Sequence, residues 1–133
     1  MTPRQLRTRP ADRAEARGRL AVAQKYLEVA ELVSEEPGAG ANVCVGVAVL
    51  AAIAASDAVC IGATGERYSG TDHAAAATLL ERVDRELGRA LKRVVDVKNE
   101  SHYGSGLIGE ADRTMALRNA RHLVEEARQR LRP

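Results

Sequence analysis

The sequence predicts an all-α protein, a four- to five-helix up-down bundle, on three observations. Apolar residues recur at steps of three and four through five separate stretches, the period of an amphipathic helix. The 133 residues include no Phe, no Trp and only three Tyr, so the core must be built from Ala, Val, Leu and Ile. Alanine has the best helix propensity and lets helix backbones approach closely. No alternating run of β-branched and aromatic residues is present to build a sheet. The length suits one domain, with residues 1–10 expected as a flexible N-terminus, bracketed by Pro3 and Pro10, and residues 11–133 as a single helical domain.

The first helix begins at Ala11, where Leu20, Ala23, Leu27 and Ala30 share a face, and stops near Ser34 because Pro37, Gly38 and Gly40 follow. The second spans about Ala41 to Ile61 and is apolar nearly all round. A bilayer span needs about 18 uninterrupted apolar residues, and Ser56 and Asp57 interrupt this one, so a buried central helix is expected and no membrane. Residues 62–70 read as a loop, with Thr71 or Asp72 as the next N-cap. The third helix carries Ala76, Leu79, Leu80 and Val83, with a break expected near Gly88. The fourth carries Leu87, Leu91, Val94 and Val95 and runs to His102, closed by Gly104 and Gly106. The fifth runs from Gly109 to Leu131, with Ala116, Ala120, Leu123 and Ala127 inward.

The net charge of +2 excludes a strongly basic nucleic-acid protein, but the charge is uneven. Six Arg fall within residues 1–19 and six within 113–132, so the two ends could form a patch for phosphate or simply two solvated faces. Cys44 and Cys60 lie sixteen residues apart on one helix. At 1.5 Å per residue that is roughly 24 Å, too far for a disulfide. Two free buried thiols and a reducing cytoplasm are expected, and no signal peptide is read, because no apolar segment follows the Arg-rich start. His73, His102 and His122 have no Cys or carboxylate at ligand spacing beyond the weak pair Asp72-His73, so neither metal nor cofactor is expected. His73 reads as a surface or cap residue and His122 as solvated.

The chemistry concentrates where the inward stripe of the fourth helix turns polar. Leu87, Leu91 and Val94 or Val95 give way to Lys98, with Asn99, Ser101, His102 and Tyr103 in the same final turn. A Lys on an apolar face is costly unless paired or near water. The second helix offers Ser56 and Asp57 as it nears its end. A buried carboxylate there needs a cation, for which Lys98, His102 and Arg67 are the candidates.

These residues resemble a known family. Ala55-Ser56-Asp57-Ala58, then Gly65, Tyr68 and Gly70-Thr71-Asp72-His73, then Leu91 and Lys98-Asn99-Glu100-Ser101-His102-Tyr103-Gly104 look like a HEPN domain, one of the prokaryotic and eukaryotic nucleotide-binding helical domains. The resemblance covers roughly residues 12–130, with its motifs between 55 and 104. It implies a dimeric helical bundle that binds RNA or nucleotide, often a metal-independent endoribonuclease toxin paired with an antitoxin or nucleotidyltransferase. Its signature is an Arg-polar pair followed within a few residues by His. Here Lys98-Asn99 stands in the Arg-polar place and Tyr103 in that of the His, with His102 one residue early, about 100° around the helix. Lys lacks the planar fork that braces phosphate, and Tyr is a poor base at neutral pH. The expected function is therefore a HEPN-like dimeric module that binds RNA, nucleotide or a partner through a degenerate motif. The alternatives are an active ribonuclease using His102 or Tyr103 with Lys98 and Asn99, and a purely structural dimer. An all-round apolar second helix independently predicts a homodimer, through whatever face its neighbours leave open.

Overall fold

A computed structural model of the chain describes residues 6–103 and 106–133, and of residues 100–103 the backbone alone. Five helices form the bundle: α1 (Arg13–Leu32), α2 (Ala39–Thr64), α3 (His73–Val83), α4 (Arg85–Tyr103) and α5 (Glu110–Arg130). Two short strands, β1 (Thr8–Pro10) and β2 (Glu66–Tyr68), pair antiparallel with Arg9 opposite Arg67. The chain is an all-α helical bundle.

Local signals set most boundaries. Asp12 caps α1 by accepting from the Glu15 amide at 2.8 Å, and Asp72 caps α3 by accepting from Ala74 at 3.0 Å. Gly65 ends α2 at φ 74°, a left-handed backbone that only glycine adopts cheaply, with its amide on the Ile61 carbonyl at 2.8 Å. Gly109 stands at the N-cap of α5, as expected. Of the glycines expected to close α4, Gly104 lies outside the described residues.

Long-range contacts fix the packing. Cys44 donates from its thiol to the Ala30 carbonyl at 3.3 Å, and Asp57 meets Arg19, so α1 and α2 run antiparallel. The α4–α5 pair is also antiparallel: Arg93 reaches Asn119, and Arg130 reaches Asp84 at 2.5 Å. Asn42 accepts from the Ile108 amide at 3.0 Å, and Arg113 donates to the Glu36 carbonyl at 2.8 Å, so α5 starts beside the start of α2. α2 contributes more buried apolar residues than any other element, mostly Ala and Val, and Leu80, Leu87, Leu91 and Leu123 are the largest of the fully buried side chains around it. At 26 residues α2 is long and apolar enough to cross a membrane, but 78% of its most apolar window is buried inside the fold. Its burial, rather than its length, marks it as the core helix.

Three expectations need correction. Residues 8–10 are not a loose extension of the N-terminus, because Thr8–Pro10 forms a strand whose partner lies in the presumed loop 62–70. Three-residue strands have too little alternation to be read locally. The break between α3 and α4 falls at Asp84, not Gly88. Asp84 ends α3 with its own amide on the Leu80 carbonyl at 2.8 Å, then starts α4 by accepting from the Leu87 amide at 3.1 Å. Gly88 is buried inside α4, and a Cβ there would lie 2.6 Å from the Glu81 Cα, so it is glycine because α3 and α4 touch at that point. Finally, the arginine-rich ends do meet, with Arg13 donating to the Arg132 carbonyl at 3.4 Å, but many of their charges are neutralised. Glu15 takes Arg9, Glu31 takes Arg121, Glu125 takes Arg128, and Asp84 takes Arg130.

Candidate functional site

Two places in the bundle carry polar groups that the packing alone does not require. One lies on α2 near its end. Ser56 and Asp57 are the only buried polar side chains among the described residues. Val43, Leu50 and Asp57 are seven apart, hence on one face of α2. That face is open at Val43 and Leu50, and the β1–β2 ribbon and α1 bring arginines over it at Asp57. Arg67 on β2 places Nη2 3.0 Å from the Asp57 carboxylate, and Arg19 on α1 bonds the same oxygen, Nε at 3.1 Å. Arg67 also bonds Glu15 at 3.2 Å, and Glu15 binds Arg9, so the cluster alternates in charge. Burial pushes the Asp57 carboxyl above its ordinary value, against the pull of Arg67 and Arg19. The Arg67 Nε is buried without a hydrogen-bond partner.

The sequence named Arg67 among the cations for Asp57, and it is one. It also named Lys98 and His102. The largest charge effects on Asp57 come from Arg67, then Arg19 and Arg9, and His102 lies outside the residues whose side chains are described. Arg19 was missed because it is 38 positions from Asp57 and reaches it only through the α1–α2 packing. This cluster ties α1, α2 and the ribbon together.

The other place is the end of α4. Leu87, Leu91, Val94, Val95 and Val97 are buried, then Lys98 is half-buried and Asn99 exposed. The partner element is α3. Its first residue, His73, is half-buried and close enough to Lys98 for the ammonium to act on it. Burial first, and Lys98 second, hold the His73 imidazole below its ordinary pKa, while Asp72 pulls the other way. An imidazole so placed is neutral at pH 7 and carries one donor and one acceptor nitrogen. So a cation and a neutral imidazole lie within electrostatic range of each other where the start of α3 meets the last turns of α4, with the exposed Asn99 next to Lys98 in the chain. Ser101, His102 and Tyr103, the other expected members of this site, lie outside the residues whose side chains are described. His73 was within reach of the sequence, since it stands beside the Asp72 cap, but only the antiparallel α3–α4 pairing brings it to Lys98.

His122 is exposed on α5, with Nε2 3.7 Å from Glu86. Both cysteines are free and buried, and burial together with the nearby Asp57 charge pushes the Cys60 thiol up to about 12. Among the described residues no group of three His, Cys, Asp or Glu could hold a metal ion. Fold and site together define a small helical bundle with a buried ion-paired cluster and a polar turn at one helix end. No protein-family model matches the chain, and no curated protein matches it.

Proposed function

We propose that the chain is a HEPN-like helical module that binds RNA or nucleotide through the α3–α4 end, with Lys98 and Asn99 contacting phosphate and His73, His102 and Tyr103 beside them. The observation that carries this reading is that His73, at the start of α3, lies within range of the Lys98 charge near the end of α4. A cation and an uncharged hydrogen-bonding ring at one helix end suit a phosphate ester and its ribose hydroxyls. The resemblance of residues 55–104 to the HEPN motifs supports the same reading. Without the Arg-polar-to-His spacing of a nuclease, binding is favoured over cleavage.

A second copy of the chain completes the proposal. Val22 and Val29 on α1, and Val43 and Leu50 on α2, are each 38–54% exposed. Along α2, Val47 and Ile53 extend the same uncharged stripe. An apolar face of this kind on two neighbouring helices suits a twofold contact. Light scattering at micromolar concentration should give a dimer, and Leu50→Lys should give a monomer. A monomeric wild type removes this part of the reading.

The test of the site is binding and cleavage of a labelled, unstructured RNA in EDTA by the wild type and its Lys98→Ala, His102→Ala and Tyr103→Phe variants. Binding without cleavage, weakened by Lys98→Ala, is expected. Cleavage lost in the His102 or Tyr103 variant would instead make the protein a metal-independent ribonuclease. No binding of RNA or nucleotide by the wild type defeats the proposal.

A further inference from the structure

A second polar surface lies in the groove between α4 and α5. An open cavity of about 290 Å³ is lined there by Glu86, Ala90 and Arg93 from α4 and by Arg118, Asn119 and His122 from α5. The spacing explains the convergence: 86, 90 and 93 fall on one face of α4, as 118 and 122 do on α5. Ala90 is buried and forms a floor too short to fill the groove. On α5 the four other arginines are paired with carboxylates, Arg113 loosely with Glu110 at 3.8 Å, Arg121 with Glu31, Arg128 with Glu125 and Arg130 with Asp84. Arg93 and Arg118 have no carboxylate partner among the described residues. Arg93 makes one long hydrogen bond, 3.5 Å to the Asn119 Oδ1. That amide is itself fixed by donating to the Met115 carbonyl at 2.8 Å. Glu86 leans toward His122 and is exposed. Arg118 also lines a neighbouring open cavity of about 420 Å³ with Glu110, Ala111, Thr114 and Met115, so the groove continues along α5.

We propose that this α4–α5 groove is a phosphate-binding site, in which the guanidinium groups of Arg93 and Arg118 grip one phosphate from opposite helices and His122 adds a third donor. The planar fork of Arg matches two phosphate oxygens at once, and two forks facing each other across a groove give that match twice. The cavity is at the small end for organic ligands and suits a phosphate whose ester groups run out along the groove. The phosphate belongs either to free orthophosphate or to the backbone of a single-stranded polynucleotide. The site stands on its own residues and does not depend on the α3–α4 end binding anything.

The experiment is a titration of isotope-labelled protein with sodium phosphate, followed by amide and side-chain NMR shifts. Beside it, a fluorescein-labelled oligouridylate is titrated by anisotropy at several salt concentrations. Arg93 and Arg118 are both exposed, so the Arg93→Ala/Arg118→Ala variant keeps its fold, and circular dichroism checks this. Shifts at Arg93, Arg118, Asn119 and His122 are expected with phosphate, and at least a tenfold weakening in the double variant. If the source is polynucleotide, oligouridylate also binds, and the double variant lowers its salt slope by about two. If it is orthophosphate, the shifts occur while oligouridylate binding is absent or untouched by the variant. The variant Arg93→Lys/Arg118→Lys keeps the charge but loses the forks and falls between. No shift in the groove with either probe, or equal affinity in the double alanine variant, overturns the proposal. Lys98→Ala separates the two sites: RNA binding lost there and unchanged in the groove variant, with no groove shift by phosphate, sinks only the groove. Phosphate shifts in the groove with no RNA or nucleotide binding sink only the α3–α4 reading.

Discussion

Replacing Gly88 by Ala tests the packing on which the α3–α4 end depends. In an unconstrained helix interior this change stabilises by about 1 kcal/mol, because Gly is the poorer helix former. Here the added Cβ would meet the Glu81 backbone, 2.6 Å from both its Cα and its N. A backbone cannot rotate aside as a side-chain tip can, so α3 and α4 must move apart. Overpacking of this sort costs about 1–3 kcal/mol. At the upper end, which backbone contact warrants, the net loss is about 2 kcal/mol, or a fall in Tm of roughly 6–8 °C for a chain of this size. Gly18 and Gly46 are helical controls, since a Cβ at either meets nothing within 4 Å. Gly18→Ala should gain about 0.5–1 kcal/mol. Urea unfolding followed by circular dichroism measures all three. A Gly88→Ala protein as stable as the wild type would refute the close approach of α3 and α4 at that point.

Three further outcomes follow from the ion pairs and thiols. Asp57→Ala leaves Arg19 and Arg67 facing each other without their shared carboxylate. Because both arginines are partly exposed, with side chains 26% and 21% accessible, the cost is below the full buried-pair value, about 2 kcal/mol in urea unfolding. A loss below about 0.5 kcal/mol would show that the cluster does not hold α1 and the ribbon to α2. Asp84 is held below the ordinary carboxylate range by the Leu87 amide first and by Arg130 next. Its folded pKa is thus lower than its unfolded one, so its contribution is complete above the unfolded pKa of about 4 and fades as pH falls through the folded value. Asp84→Ala should cost about 1–2 kcal/mol at pH 7, and the gap to wild type should narrow below pH 4; a gap that stays constant to pH 2 contradicts the assignment. Cys44 and Cys60 should resist a thiol reagent in the folded protein and react once urea unfolds it, because both are buried and the Cys60 thiol is pushed up to about 12. Prompt labelling of the native protein would contradict their burial.

Sequence alone determined the helices, because the signals that make a helix lie within a few residues of one another. The stripe Leu87, Leu91, Val94 sets the face of α4 and Asp72 caps α3, whereas α2, expected to stop near Ile61, runs on to Thr64, where Gly65 supplies the left-handed residue that ends it. The same local reading named Arg67 as a cation for Asp57 and marked Lys98 as a polar interruption of a core stripe. Tertiary structure decided what each of these groups meets. The pairing of Thr8–Pro10 with Glu66–Tyr68 sets Arg9 opposite Arg67, 58 positions further along the chain, and no three-residue run announces its partner. Arg19 reaches Asp57, His73 comes within range of the Lys98 charge, and Arg93 and Arg118 line one groove only because antiparallel helices bring distant positions level. Gly88 shows the difference in one residue. Read locally, a glycine between two apolar stripes marks a break; in the fold it is the contact that lets two helices touch, and the break belongs to Asp84, which can satisfy the backbone on both sides. Periodicity and capping are short-range and legible in sequence, whereas the pairing of charges follows from which helix faces pack, and that is settled by the burial of the whole apolar surface at once.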